Sequence, residues 1–395
     1  MLGDETWLGP VAPRLPFSDR IRRPMTGRVA NRAEVGLNPA MGIESELGGG
    51  PEFELIARVR ERLGRARSDN AGPLPEQVAA RAIAVGIGDD AAVTVPGGAT
   101  ATSVDALVEG VHFDRSSAPL SAIGHKALAT ALSDLAAMGA VPGEAYVVLG
   151  VPERLEPDEV LEICGGIADL AAATGARMLG GDLTRSAVLF LSVTVVGHAS
   201  SAAELVSRAG ATPGGLLAVT GELGGAAAGH ILLERPELNA AIAVEEANRL
   251  RERQLRPQPR LAAGIALAGA GAEAMIDLSD GLGSDATHLS AASKVGLRVE
   301  LGHLPAQPGV LGLAEAAGID PLELLAAGGE DYELLVVVPA RRFPDAEAAV
   351  RRTGTALTVI GEVQKGSEVE LREPGGGVRP ASGFDHFRNA PEDAG

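Results

Sequence analysis

From Glu52 onward, apolar positions recur with two alternating periods. "EFELIARVRERLG" puts Phe53, Ile56, Val59 and Leu63 on one helical face and stops at Gly64, the spacing and terminator of an amphipathic helix. Short runs rich in β-branched residues follow, "AIAVGIG", "ATSVDALV", "AYVVLGV" and "AVLFLSVTVVG", and read as strands. Between them lie two helical stretches, "LSAIGHKALATALSDLAAMGA" and "PDEVLEICGGIADLAAATGA". After the joint "VTVVGHASSAAELVSRAGATPGG" the alternation resumes: "GGLLAVTG" as a strand, a helical region to about Ala270, "AEAMIDLSDGL", another helix, then "YELLVVVP" and "ALTVIGEV". This predicts a mixed α/β (α+β) architecture in two lobes, over residues 51–197 and 198–395. Residues 1–50 lack periodicity and end in "LGGGP"; they read as a disordered extension, with Met41 as a candidate start of translation.

Composition narrows the class. A chain of 395 residues exceeds one comfortable core, and with 3% aromatic residues its cores must be built from Ala, Val, Leu and Ile. The one cysteine, Cys164, excludes an internal disulfide and suits a reducing cytoplasm. No apolar run reaches membrane-spanning length, and the N-terminus lacks the apolar core of a signal peptide, so a cytoplasmic protein is expected. A net charge of −18 argues against nucleic-acid and anionic-membrane partners. The basic residues are almost all arginine: the only lysines are Lys126, Lys294 and Lys365, none of them in a P-loop pattern. Any polyphosphate bound here must be neutralised by arginine or by metal ions.

Aspartates then stand out. Asp89 and Asp90 follow Gly-Ile-Gly in "VGIGDDAAV"; Asp105 lies in "TSVDALVEGVHFD", with Ser103 two residues earlier on the same strand face and His112 beyond. Asp134 shares a helical face with Ile123, Ala127, Ala131 and Met138, the apolar side, where a carboxylate needs a cation or a hydrogen bond from a strand beneath. Asp182 closes "RMLGGD", and "MIDLSDGLGSD" supplies Asp277, Ser279 and Asp280, where one residue suits a helix cap. Glu330 and Asp331 precede a strand in "AAGGEDYEL", the Gly-rich "TGELGGAAAGH" suits either a phosphate at a helix N-terminus or tight packing, and Arg185 and Arg208 are candidate phosphate donors. Each motif alone is equally a turn, a cap or a solvated side chain. Together, so many carboxylates after apolar segments, in a chain nearly without lysine, point to magnesium ions holding phosphates. No order of residues suggests a covalent nucleophile, and zinc spacings are absent.

In order and spacing, "GIGDDAAV", "SVDALVEGVHF", "HKALATALSDLAAMGA", "GGDLTRS", "RPQPR", "AMIDLSDGL", "GGEDYEL" and the closing "GFDHF" resemble the thiamine-monophosphate kinases, over about residues 52–388. The resemblance implies the two-domain fold of the aminoimidazole ribonucleotide synthetase-like superfamily, its N-terminal domain forming a barrel across a homodimer. It implies Mg2+-dependent, direct in-line transfer from ATP to thiamine monophosphate, giving thiamine diphosphate and ADP with no covalent catalytic residue. It makes Asp90, Ser103, Asp105, Asp134, Asp182, Asp277 and Asp280 the metal ligands. Val104 stands where the family has a hydroxyl, so a metal contact there would run through its carbonyl; Asp89 matches the motif without being assigned as a ligand. Gly181, Asp182, Arg208 and Ser279 fall at ATP, and His112, Glu330 and Phe384 at the thiamine end. The alternatives are a sister enzyme of the superfamily, such as aminoimidazole ribonucleotide synthetase, or an inactive nucleotide-binding regulator.

Overall fold

The computed structural model describes residues 97–384 without interruption, preceded by residues 55, 58, 59, 61–63, 83–85, 93 and 94. The N-terminal extension, Met41, Asp89, Asp90 and the end of the "GFDHF" motif lie outside the described residues. Of the first expected helix, Val59 and Leu63 are described, and both are buried in the core beside the N-terminal lobe's helices.

The N-terminal lobe starts with a short antiparallel pair, β1 (Ile83–Val85) and β2 (Val93–Thr94). It continues with β3 (Ala99–Val108), α1 (Leu120–Ala137), β4 (Val141–Val151), α2 (Pro157–Thr174), β5 (Arg177–Arg185) and β6 (Phe190–Ala199). Its sheet runs β3-β6-β4-β5, antiparallel except for β4–β5, which α2 connects as a crossover must. β3 is an edge strand whose residues alternate between covered and exposed, the signature of a sheet with helices on one face only. On the open face Val104 is 62% exposed. The sheet is open at β3 and β5, so no barrel closes within the described chain.

The C-terminal lobe comprises β7 (Gly215–Thr220), α3 (Gly225–Glu234), α4 (Val244–Leu255), α5 (Leu261–Ala270), β8 (Ala274–Asp277), α6 (Leu282–Ser293), β9 (Gly296–Glu300), α7 (Val310–Ala317), β10 (Leu334–Pro339), α8 (Phe343–Arg351), β11 (Leu357–Gln364), β12 (Val369–Arg372) and β13 (Val378–Arg379). The sheet order is β13-β12-β9-β11-β7-β10-β8, with β12–β9 the parallel pair. The single helical region expected up to Ala270 is three helices, because Pro236, Pro257 and Pro259 each remove a backbone donor.

β10 shows how the lobes join. Leu334, Val336 and Val338 face one core, together with Met275, α1 and α2, while Leu335 and Val337 face a second core inside the C-terminal lobe. The strand is therefore buried on both faces and reads as an unbroken apolar run. No helix of the described residues is long and apolar enough to cross a membrane.

α1 is Ala-rich, hence a good helix former, and ends in a Schellman turn: Gly139 takes φ +64, and Ala140 N–H reaches the Leu135 carbonyl. α2 begins with a reciprocal cap between Glu156 and Glu159 and ends at left-handed Gly175. The two helices touch backbone to backbone. A methyl group on Gly124 would lie 2.0 Å from the Ile163 carbonyl oxygen, and one on Gly166 1.8 Å from that of Ser121. Gly124→Ala or Gly166→Ala should therefore destabilise the fold by about 1–3 kcal/mol through overpacking. Urea denaturation reads this, and an unchanged midpoint would contradict the close contact.

Candidate functional site

A cleft of about 1130 Å³ runs between the lobes. β3 contributes Asp105, α1 contributes Lys126, Thr130 and Asp134, the end of β8 contributes Asp277, Ser279 and Asp280, and the segment before β10 contributes Glu330. The cleft thus assembles carboxylates from segments as far apart as residues 105 and 330.

Asp105 lies within β3 rather than past its end, on the covered face, one turn of pleat from Ser103. Ser103 Oγ donates to Asp134, which is the hydrogen bond from a strand beneath that the helical pattern left open. Ser133, the residue before Asp134 and fully buried, donates 2.8 Å to Asp277 Oδ2 in the other lobe. Two hydroxyls thus hold two aspartates on opposite walls. Asp280 and Gly281 are set by Asp285, whose Oδ2 accepts from their N–H groups at 3.2 and 3.1 Å. None of Asp277, Ser279 and Asp280 caps α6, whose N-cap is Gly281.

The electrostatics are those of a crowded anionic site. Burial pushes Asp105 up to about 6, with Asp134 and Asp280 adding repulsion. Burial and then Asp134 push Asp277 up to about 7, against the Ser133 hydrogen bond and the Arg208 guanidinium. Burial and then Asp277 and Asp280 push Asp285 up to about 8. Such all-oxygen, mutually repelling donors suit a hard cation. Among the described residues no three His, Cys, Asp or Glu side chains converge on one point. Mg2+ fits that spacing, since it is commonly held by one or two carboxylates and completed by water and substrate phosphate.

His112 and Phe384 line the same cleft. His112 Nδ1 accepts from the Val108 N–H at 3.1 Å, so a neutral ring carries its proton on Nε2. Its loop is tied down at Glu109, which accepts from Arg115 at 2.7 Å, Arg154 at 2.9 Å and the Leu189 N–H at 3.1 Å. Phe384 is 53% exposed, and its N–H donates to the Asp280 carbonyl at 2.9 Å.

Not every expected site residue is gathered there. β5 continues through "GGDLTR", so Asp182 is a mid-strand residue, exposed on the open face opposite to Asp105. Gly181 shares the Asp105 row three strands across, about 14 Å away at ordinary strand spacing. Val104 also has its side chain on the open face. Arg208 is exposed and acts on Asp277 through its charge, and Arg185 is exposed at the end of β5. The Gly-rich turn before α3 is already filled, since Asp331 accepts from the Gly224 and Ala226 N–H groups at 2.6 and 3.1 Å. Ser133, Lys126 and Gln254 were not among the expected site residues. Their signals were faint: adjacency to Asp134, and the rarity of lysine.

Comparisons with known proteins give the family and the fold. The family model for the AIR synthase related protein, N-terminal domain, matches residues 88–199, and that for its C-terminal domain matches residues 212–373. Thiamine-monophosphate kinase of Escherichia coli K12 is 35% identical over 346 residues, 85% of this chain and 98% of that protein. The crystal structure of thiamine-monophosphate kinase from Stenotrophomonas maltophilia K279a superposes with a TM-score of 0.70 at 33% identity, over 84% of this chain and 98% of that one. The structure of AaThiL complexed with AMPPCP and TMP superposes with a TM-score of 0.64 at 32% identity, over 73% and 87%.

The carboxylate repulsion has a measurable sign. Asp277 is raised from an ordinary 3.8 to about 7, so the folded metal-free protein holds this proton more tightly than the unfolded chain does. Its contribution to stability is full below about pH 4 and is lost as pH rises through about 7. In EDTA, the melting temperature of the wild type should fall relative to Asp277→Asn between about pH 5 and about pH 8, and Mg2+ should restore the wild type more. Parallel pH profiles for the two proteins would contradict it.

Proposed function

The chain belongs to the thiamine-monophosphate kinase family, and from that premise we propose that it transfers the γ-phosphoryl group of ATP to thiamine monophosphate in one direct in-line step, with Mg2+. The observation that carries the reading is the set of carboxylates that two lobes bring to one cleft, with Asp134 held by the Ser103 hydroxyl and Asp277 by that of Ser133. The acceptor is a phosphate monoester with a second pKa of about 6, so it is mostly dianionic at neutral pH and needs little help from a base. The obstacle is the approach of two polyanions, and catalysis is chiefly positioning and charge neutralisation.

On this reading Asp90, Ser103, Asp105, Asp134, Asp182, Asp277 and Asp280, with the Val104 carbonyl, hold the cations. Bound Mg2+ supplies neutralisation of the developing phosphate charge. Gly181, Arg208 and Ser279 contact ATP. At the acceptor end the His112 Nε2–H donates, the Glu330 carboxylate faces the cationic ring, and the Phe384 ring packs on it. The lobes divide near residue 198, and the protein works in the cytoplasm. The open sheet face bearing Val104 and Val148 supports a homodimer in which two sheets close into a barrel and cover Asp182.

The test follows ADP and thiamine diphosphate together, with ATP and Mg2+, with and without thiamine monophosphate. Equal amounts of the two products, abolished by EDTA, are expected. ADP without thiamine diphosphate would assign a sister reaction, and no ADP at all would favour a regulator. Asp134→Asn should lower turnover roughly 10²–10³-fold with the fold retained by circular dichroism. Wild-type activity under saturating Mg2+ would remove Asp134 from the metal site.

A further inference from the structure

Lys126 is one of three lysines in the chain, and α1 holds it in the cleft wall with 4% of the residue exposed. Its ammonium lies 2.7 Å from Glu330 Oε1, across the seam between the lobes. The other carboxylate oxygen accepts a 2.8 Å hydrogen bond from Gln254 Nε2 on α4. A carboxylate only accepts, so this contact fixes which end of the Gln254 amide is nitrogen. The amide oxygen is left buried with no hydrogen-bond partner among the described residues. An amide held in so unfavourable a pose is held by what its nitrogen does.

Glu330 is itself strained. Its φ is +67, a left-handed conformation that a residue with a Cβ adopts rarely, and Tyr332 follows at φ +48. Such residues persist only where the surroundings over-determine them. Here the determinants are Lys126, Gln254 and the Ser279 carbonyl, which accepts the Glu330 N–H at 2.8 Å. Lys126 and Gln254 come from different lobes, so the carboxylate is fixed only when both lobes are in place.

We infer that Lys126 and Gln254 are positioning residues for the transfer: they clamp the Glu330 carboxylate in one place and orientation at the acceptor end of the cleft. The inference rests on the reading of Glu330 as the group that faces the thiamine ring. Lys126 works through Glu330 and does not touch the transferred phosphate. Along the axis of α1 the backbone of Lys126 stands two helical turns, about 10 Å, from Ser133 and Asp134.

A double-mutant cycle separates the two roles. Lys126→Met should raise KM for thiamine monophosphate by roughly tenfold or more while KM for ATP stays within about twofold. Lys126→Met placed on Glu330→Gln should add no further loss, because the group it positions is already gone. Lys126→Arg, which keeps the charge, should recover most of the affinity. Gln254→Met is isosteric and removes both the donor and the unpartnered oxygen; it should raise the same KM severalfold and serves as the second probe if Lys126→Met does not fold. Losses that multiply in the double mutant would put Lys126 on the substrate itself and overturn the clamp. An unchanged acceptor KM in Gln254→Met would overturn it as well. Wild-type turnover is the control in the same assay: its absence would overturn the kinase reading and the clamp with it, whereas turnover with multiplying losses overturns the clamp alone.

Discussion

A helix enclosed by two lobes can carry polar side chains only where each finds a partner, since a buried polar group left alone costs about 1–3 kcal/mol and an unpaired charge more. α1 is such a helix: every residue except Leu120, Ser121 and Asp134 is buried. His125 Nε2–H donates to the Pro257 carbonyl at 2.9 Å, Lys126 pairs with Glu330, Ser133 donates to Asp277, and Asp134 accepts from Ser103. Thr130 alone of these turns back on its own helix, at the Ala127 carbonyl. The packing constraint and the functional cleft are therefore one arrangement. The groups that make α1 compatible with burial are those that place the C-terminal lobe's carboxylates opposite those of the N-terminal lobe.

The C-terminal lobe meets α1 with the segment "GGEDYEL", in which each acidic residue has a separate task. Glu330 reaches α1. Asp331 caps α3. Glu333, with no exposed surface, is held by Arg253, by both arms of Arg260 at 2.6 and 2.8 Å, and by Thr220 Oγ1 at 2.7 Å. A buried carboxylate so fully satisfied is stable in place, whereas removing one partner from such a pair costs about 3–5 kcal/mol. This network fixes the base of the loop, so that the strain at Glu330 and Tyr332 is carried by a rigid support. Asp105, Asp277 and Asp285 have no such cationic partner among the described residues apart from the field of Arg208 on Asp277, and the raised affinity of these three for protons records it.

Most of the elements were legible, because apolar periodicity and Gly and Pro punctuation carry them: β3, α1, β4, α2, β6, β10 and β11 lie where the pattern put them. So were the cleft residues Asp105, Asp134, Asp277 and Asp280, since a carboxylate set among apolar neighbours must find a donor or a cation. What periodicity could not reveal was which face a strand turns outward. Asp182 and Asp105 look alike in sequence, each in a β-rich run, yet the register of β3, β6, β4 and β5 sets them on opposite faces. Pairings over long separations were equally invisible. Ser133 to Asp277 spans 144 residues, and nothing local marks Ser133 apart from any other helical serine. The Gly-rich turn before α3 left a phosphate open beside tight packing only because its occupant, Asp331, lies 105 residues or more further on.

The central claim is that both lobes must supply carboxylates for the cleft to hold its cations. It is tested most directly by titrating Mn2+, as a paramagnetic substitute for Mg2+, into the protein with a non-hydrolysable ATP analogue and reading free Mn2+ by electron paramagnetic resonance. The account predicts that the wild type withdraws Mn2+ from solution and that Asp134→Asn and Asp277→Asn, one in each lobe, each weaken that binding. Wild-type Mn2+ binding in either variant would contradict it, because a single lobe would then suffice.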